Sequence, residues 1–315
     1  MENLIYSLNA SLPIFLVMAA GWGLKRIGLL NESFAAGADK LVFRVTVPLL
    51  LFNQIRAIDV WENFDWRYLG FCMGATAAAV CLLWPLSHLL IRDKASVGAF
   101  VQACYRSSAA ILGVAFIENA YGQAGMASLM VLGSVPLFNL FAVLILTVEG
   151  GARGQELGRR VAAAARGIAT NPMILGILAG LLASLLRLRL PVVVDKTFSS
   201  LAGLTTPLAL LAIGIEFKGK EALGKLKLTA LATVIKLLAL PAIFLPMAAA
   251  LGFRQELLMG LVVMLGSPAT PMGYVMAREM GGDEVLASSA IMLTTLCSAV
   301  TLTFWIFLFR ALGYL

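Results

Sequence analysis

The polar residues best suited to chemistry lie in two short segments, each of which interrupts a long apolar stretch. The first segment runs from Gln102 to Gly113 and the second from Gly266 to Gly273. Polar and helix-breaking residues at membrane depth are tolerated only where the chain lines a cavity enclosed by protein. Paired interruptions in two halves of a chain indicate a transport site. The substrate-binding residues that we expect in these segments are Arg106, Ser107, Ser108, Ser267, Ala269 and Thr270.

The chemistry that these segments favour is the binding of an anion. If the two breaks cross near the middle of a bilayer, half-helix N-termini meet there with unpaired N–H groups and positive dipole ends. Arg106 adds a fixed positive charge and a forked donor that suits a carboxylate. In the alternative, Arg106 pairs with freed carbonyl groups of the opposite break and does not contact substrate. The residues that we expect to act as hinges at the crossover are Gly113, Gly266, Pro268 and Pro271.

Four further polar residues at membrane depth complete the predicted site: Asn53, Asn139, Thr205 and Thr294. Hydroxyl groups can bond to their own helix or to a neighbouring helix, so Thr205 and Thr294 have a structural alternative. Lys236 lies nearer a helix end and is expected to reach the membrane interface. No metal-ligand spacing, nucleotide loop or nucleophile–base pair occurs in the sequence, so we predict neither an enzyme nor a metal site. A coupling proton or sodium ion is the one cofactor left open.

The composition indicates an integral membrane protein. Hydrophobic residues make up 60% of the chain, charged residues 13%, and the mean hydropathy is +0.91, whereas about 25% of a soluble protein is charged. The net charge of +7 comes from short basic clusters between apolar runs, as in membrane proteins with positively charged cytoplasmic loops. This pattern excludes a nucleic-acid partner and makes membrane lipid the expected surroundings.

Apolar runs long enough to cross a bilayer, at about 20 residues each, predict ten transmembrane helices, which we number spans 1 to 10. They fall near 5–24, 34–55, 67–91, 97–117, 125–148, 172–186, 196–217, 228–250, 255–277 and 286–309. The polar stretch 149–171 separates a first repeat, 1–148, from a second, 172–315. Lys and Arg are most frequent at the connections 1–2, 3–4, 5–6, 7–8 and 9–10, so this side is predicted to be cytoplasmic and both termini periplasmic.

The two halves align at a constant offset of 159 residues. The matching positions include Pro13 with Pro172, Gly21 with Gly180, Pro48 with Pro207, Ser108 with Ser267, and Gly122 with Gly281. Because five spans are an odd number, the second half must enter the membrane from the opposite side. The fold class predicted is therefore an all-α membrane protein with a 5+5 inverted repeat, in which spans 4 and 9 are broken and cross.

Several stretches resemble the auxin efflux carrier family, which includes plant auxin carriers and bacterial carriers for malonate and other small carboxylates. Besides the segment around Arg106, they are LVFRVTVPLLLFNQI (41–55), NPMILGILAGLL (171–182), TTPLALLAIG (205–214) and residues 267–290. The resemblance implies a scaffold of spans 1, 2, 6 and 7 and a mobile transport unit of spans 3–5 and 8–10. It also implies elevator-type alternating access, with the substrate carboxylate at the crossover.

Two departures from the family pattern bear on the substrate. Many members have Asn shortly after the arginine of span 4, whereas this chain has Ser107 and Ser108. Plant members have proline at both crossings, whereas this chain has proline only at the crossing in span 9. The short 149–171 connection favours a compact prokaryotic carrier. We therefore expect a secondary transporter of the bacterial inner membrane that moves a small organic anion, with a malonate-like dicarboxylate ahead of monocarboxylates.

Two other functions remain open at this point. Crossed helices with hydroxyl groups could also enclose a cation, as in a sodium-coupled symporter related to the bile-acid carriers. A membrane sensor that binds a ligand without moving it is the other alternative. The expected partners are a small carboxylate, membrane lipid and a second copy of the chain, which would bind through the scaffold spans.

Overall fold

The computed structural model describes residues 2–57, 65–109, 117, 125–150, 166, 169–217 and 219–315, with only the backbone at 2–12, 14, 125–128, 150 and 219. These residues are almost entirely helical, and no strand occurs among them. The helices are α1 (Glu2–Arg26), α2 (Glu32–Leu41), α3 (Val47–Arg56), α4 (Trp66–Leu90), α5 (Lys94–Tyr105), α6 (Gly125–Gly150), α7 (Pro172–Leu185), α8 (Val192–Gly203), α9 (Thr205–Glu216), α10 (Gly219–Gly224), α11 (Leu226–Val234), α12 (Leu240–Ala250), α13 (Gln255–Gly266), α14 (Pro271–Glu279) and α15 (Glu284–Ala311).

The described residues contain five helical stretches that are long and apolar enough to cross a membrane. The bent pair α13 and α14 makes a sixth if it is counted as one broken span. This number is smaller than the ten predicted. Span 6 corresponds to α7, which has only 14 residues, and span 4 continues beyond α5 into residues outside the described ranges. The fold is that of an all-helical, multi-pass membrane protein.

The longest predicted spans coincide with single helices. Span 3 corresponds to α4, span 5 to α6 and span 10 to α15, each within a few residues at either end. Polar N-caps begin two of these helices. The Asp65 carboxylate accepts hydrogen bonds from the N–H groups of Arg67 and Tyr68, and the Asp283 carboxylate accepts one from the N–H group of Leu286. These bonds satisfy donors that the first helical turn leaves free.

Two other spans contain a π-helical turn directly before a proline. The turns are Val42–Thr46, which precedes Pro48, and Ile235–Ala239, which precedes Pro241. A proline ring clashes with the carbonyl group four residues earlier, and proline has no N–H group to donate to that carbonyl. In both spans the carbonyl in question lies inside the π-helical turn. The freed carbonyl of Leu237 accepts a hydrogen bond from Trp305 Nε1 at 2.9 Å. The wider turn thus lets each helix continue past its proline.

Glycines let four of the helices approach to backbone contact. A Cβ added at Gly21 of α1 would lie 2.4 Å from the carbonyl oxygen of Leu211 in α9. A Cβ added at Gly180 of α7 would lie 2.8 Å from the carbonyl oxygen of Phe52 in α3. Small residues at such positions allow close packing of membrane helices. The two contacts are related by the same offset of 159 residues, as Gly21 corresponds to Gly180 and Phe52 to Leu211.

We expect Gly21→Ala to lower the thermal unfolding temperature of the purified protein. The new methyl group would collide with the α9 backbone, and overpacking of this kind costs about 1–3 kcal/mol. Gly23→Ala is the matched control, since nothing lies within 4 Å of a Cβ at Gly23 on the same helix. Equal unfolding temperatures for the two variants would contradict the backbone contact between α1 and α9.

Candidate functional site

The two predicted breaks meet in the structure. Helix α5 ends at Tyr105, and Arg106 continues in an extended conformation with φ −74° and ψ 135°. The second break separates α13 from α14, whose axes differ in direction by 42°. The N–H group of Ser108 donates a hydrogen bond to the carbonyl oxygen of Pro268 at 3.0 Å. The backbones of the two breaks are therefore bonded to each other. Gly113, the one predicted hinge residue of span 4, lies outside the described residues.

Arg106 is a buried cation beside this crossing. Its side chain is only 4% exposed. Nη2 donates to Asn139 Oδ1 at 2.8 Å and Nη1 contacts Met276 Sδ at 3.1 Å, while Nε has no hydrogen-bond partner. Among the described residues, no carboxylate lies within ion-pair distance of Arg106. Burial of a charge without a counter-ion is costly, and such a residue in a membrane protein marks a functional site.

Asn139 of α6 holds the guanidinium of Arg106 in place. Its side-chain N–H group donates to the carbonyl oxygen of Val135 at 2.8 Å. This bond within α6 fixes the orientation of the amide, so that Oδ1 points at Arg106. The amide can accept from Arg106 but cannot neutralise its charge. The alternative in which Arg106 pairs with carbonyl groups of the opposite break does not occur among the described contacts.

A cavity of about 50 Å³ lies against the crossing. It brings together five of the predicted site residues: Arg106, Ser107, Ser108, Asn139 and Thr270. The other walls come from α3, α6 and the start of α14, through Val47, Leu50, Leu51, Gln54, Val135, Phe138 and Met272. The Ser107 hydroxyl has no hydrogen-bond partner. A positively charged, mostly apolar cavity with a few free polar groups can hold a compact anion.

Gln54 is a lining residue that the sequence analysis missed. The neighbouring residue Asn53 was predicted instead, but it does not line the cavity. Consecutive residues of an α-helix differ by about 100° in direction, since 3.6 residues make one turn. The sequence placed an amide on the correct turn of α3 but could not give the rotation of the helix. Helical spacing places Gln54 on one face with Val47 and Leu50, but nothing in the sequence marks that face as the side of the cavity.

The remaining predicted residues do not line the cavity, and one of them, Thr294, bonds to the second break. Thr294 Oγ1 accepts from the N–H group of Ala269 at 3.1 Å and donates to the carbonyl oxygen of Ala290 at 2.6 Å. Ser267 is fully buried, and its hydroxyl has no hydrogen-bond partner. Thr205 lies in α9, where its hydroxyl donates to Thr46 Oγ1 at 2.9 Å. Thr46 and Thr205 are 159 residues apart, the same offset at which the two halves of the sequence align.

The N-terminus of α14 points at the cavity, as the anion-site hypothesis requires, but it offers few free donors. Pro271 has no N–H group. The N–H group of Met272 is 3.3 Å from Thr270 Oγ1, and that of Gly273 donates to the carbonyl oxygen of Thr270 at 2.9 Å. The positive end of the helix dipole still faces the cavity. The charge of Arg106 is therefore the stronger attraction for an anion.

A second cavity of about 10 Å³ lies on the other side of Arg106 and Thr270. Gln102 of α5 lines it, and both polar atoms of the Gln102 amide lack hydrogen-bond partners although the side chain is buried. The space is close to the minimum that one water molecule needs. Free polar groups thus lie on both sides of Arg106.

Lys236 is buried at the second break, so the prediction that it reaches the membrane interface is wrong. Its side chain is 1% exposed, and Nζ donates to the carbonyl oxygen of Leu265 at 3.0 Å. Leu265 lies in the last turn of α13, where free carbonyl groups and the negative end of the helix dipole stabilise a cation. Lys236 itself lies within the π-helical turn Ile235–Ala239.

A network of charged side chains joins α2, α9 and α14 away from the cavity. Arg278 Nη1 lies 3.0 Å from Asp39 Oδ2 and also pairs with Glu216. The Tyr274 hydroxyl accepts from Arg278 at 2.9 Å and donates to Glu216 at 2.8 Å. Asp39 is fully buried. Arg278 Nε also lies 3.9 Å from Glu284 Oε2 at the start of α15. The sequence analysis did not find this network because its members come from segments that are distant along the chain.

The helical membrane fold and the buried cation where the two breaks meet fit the class of membrane transport proteins. The chain belongs to the family described as membrane transport protein, the auxin efflux carrier-like family, whose model matches residues 6–306. It is similar to an uncharacterized transporter of Methanothermobacter thermautotrophicus, with 23% identity over 305 residues. That match covers 95% of this chain and 97% of the relative. The resemblance drawn from the sequence is confirmed.

Proposed function

We propose that the protein is a secondary transporter that moves a small organic anion across the bacterial inner membrane. The observation on which the proposal rests is Arg106, a buried guanidinium that lines a cavity at the crossing and has no carboxylate partner among the described residues. A substrate carboxylate would supply the missing counter-ion through charge-assisted hydrogen bonds. The small cavity favours a compact anion, and a malonate-like dicarboxylate stands ahead of monocarboxylates. The chain performs no enzymatic step in this proposal, as is usual for a member of a transporter family.

The proposed architecture is ten spans in a 5+5 inverted repeat. Contacts that are related by the offset of 159 residues support it. The close approach of Gly21 to Leu211 has a counterpart in that of Gly180 to Phe52. Thr205 donates a hydrogen bond to Thr46, the residue 159 positions earlier. In this proposal spans 1, 2, 6 and 7 form the scaffold, and spans 3–5 and 8–10 form the transport unit. The transport unit moves as an elevator and takes the Arg106 cavity from one side of the membrane to the other.

Uptake of labelled malonate by proteoliposomes tests the function. We expect more uptake by proteoliposomes than by liposomes without protein. Unlabelled small dicarboxylates should inhibit this uptake more strongly than acetate does. Replacement of sodium by choline, with and without a pH gradient, identifies the coupling ion. Arrest of uptake in choline would favour the sodium-coupled symporter. Binding of a carboxylate without uptake would favour a sensor, and neither binding nor uptake of any carboxylate would refute the proposal.

The proposed orientation places both termini in the periplasm and the connection around Lys220 in the cytoplasm. The basic residues of that connection, Lys220, Lys225 and Lys227, support it. In a variant without the four native cysteines, Lys220→Cys should react with an impermeant maleimide only in inverted vesicles. Leu315→Cys should react only in intact spheroplasts. The reverse labelling pattern would overturn the orientation.

A further inference from the structure

An apolar cleft of about 420 Å³ lies between α1, α9 and α15, apart from the cavity at Arg106. Its walls include Phe15, Met18, Trp22, Phe217 and Met292, and almost all of the lining is carbon. The volume falls in the range of about 300–1,000 Å³ that small-molecule sites occupy. An apolar cleft of this size suits a hydrocarbon chain.

The floor of the cleft is a rigid contact between two helices. A Cβ added at Gly214 of α9 would lie 1.9 Å from the carbonyl oxygen of Met18 in α1. The two backbones are already as close as they can come, so α1 and α9 cannot move together to fill the space. The cleft is thus a fixed feature of the packing of α1 against α9.

One end of the cleft has an unpaired positive charge. Trp22 is 48% exposed, and the Arg26 guanidinium lies over its ring, 4.6 Å from the ring centre. The neighbouring cation, Lys25, is neutralised by Glu32 at 2.8 Å. Arg26 has no ion pair with any described residue. Tryptophan and arginine side by side at a helix end are typical of the level of lipid head groups.

We propose that this cleft binds an anionic phospholipid, with one acyl chain against Phe15, Met18 and Trp22 and the phosphate on Arg26. From Phe15 to Trp22 helix α1 rises about 10 Å at 1.5 Å per residue, which is most of the roughly 15 Å of hydrocarbon in one leaflet. The head group then lies at the level of Arg26, one turn beyond Trp22. Basic residues beside clefts between membrane helices recognise anionic head groups in this way.

Native mass spectrometry of the detergent-purified protein tests the proposal, with dioleoyl phosphatidylglycerol and dioleoyl phosphatidylcholine as probes. We expect one phosphatidylglycerol to bind roughly fivefold more tightly than phosphatidylcholine, the effect of one basic residue near a lipid surface. Arg26→Gln should make the two affinities equal. Arg92→Gln, at another connection, is the control and should leave the preference intact.

Variants that fill the cleft test the place of the acyl chain. Ala19→Trp on the α1 wall should weaken the binding of both lipids at least tenfold, and Met292→Trp on the α15 wall should do the same if Ala19→Trp does not fold. Equal binding of the two lipids by the unmodified protein, or a preference that survives Arg26→Gln, would overturn the proposal. Undiminished lipid binding by a folded tryptophan variant would also overturn it. So would mass spectra that show a protein dimer without bound lipid.

Discussion

Arg106→Gln is expected to lower the affinity for malonate by roughly 10- to 150-fold, because hydrogen bonds to a charged group contribute about 1.5–3 kcal/mol. The unfolding temperature of the same variant should be equal to or higher than that of the unmodified protein. Since no described carboxylate pairs with Arg106, its removal leaves no orphaned charge among the described residues, and the groups that lose a partner are Asn139 Oδ1 and the weak acceptor Met276 Sδ. Isothermal titration and thermal unfolding of the purified variant measure the two effects.

Arg106→Lys separates charge from geometry. It keeps a positive charge but loses the fork that binds both oxygens of a carboxylate, so we expect an affinity between those of the unmodified protein and Arg106→Gln. If a folded Arg106→Gln variant binds malonate with unchanged affinity, Arg106 is structural. The N-terminus of α14 would then be the main attraction for the anion.

Arg278→Gln is expected to have the opposite effect on stability and to lower the free energy of unfolding by about 3–5 kcal/mol. Asp39 is fully buried and, with Glu216, would lose its counter-charge. Loss of one partner from a buried ion pair leaves an uncompensated charge, which is the larger part of this cost. Denaturant unfolding in detergent measures the difference.

A second substitution tests the cause of that loss. Asp39→Asn in the Arg278→Gln background removes the orphaned charge and should restore part of the stability. Arg310→Gln, at the exposed end of α15, is the control and should change little. Unchanged stability of Arg278→Gln would show that the network contributes nothing. In the proposed architecture the network links scaffold to transport unit, so elevator movement has to break it.

The parts of the fold that the sequence predicted well are those set by local hydropathy. Helices α4, α6 and α15 are long, uninterrupted apolar runs, and a bilayer leaves such a run no alternative to a helix. The breaks in spans 4 and 9 were predicted from proline, glycine and polar residues at membrane depth. The constant offset of 159 residues also led to Ser108 and Ser267, although only Ser108 lines the cavity.

The parts that the sequence did not predict depend on rotation and on distant contacts. Hydropathy places Asn53 and Gln54 at the same depth, but it does not determine which of them faces Arg106. It also does not show that Lys236 turns inward, because the acceptor of its Nζ group, the carbonyl oxygen of Leu265, belongs to the next span. The partners of Arg278 come from α2 and α9, and no local pattern relates segments so far apart along the chain.

The hydrogen bond from Ser108 to Pro268 limits how a substrate could pass this point. A channel that opened here would have to part the two broken segments and exchange this hydrogen bond for bonds to water, at a net cost of about 0.5–1.5 kcal/mol. A movement that displaces both segments together leaves the bond intact. Joint movement of the two broken segments is therefore less costly than their separation.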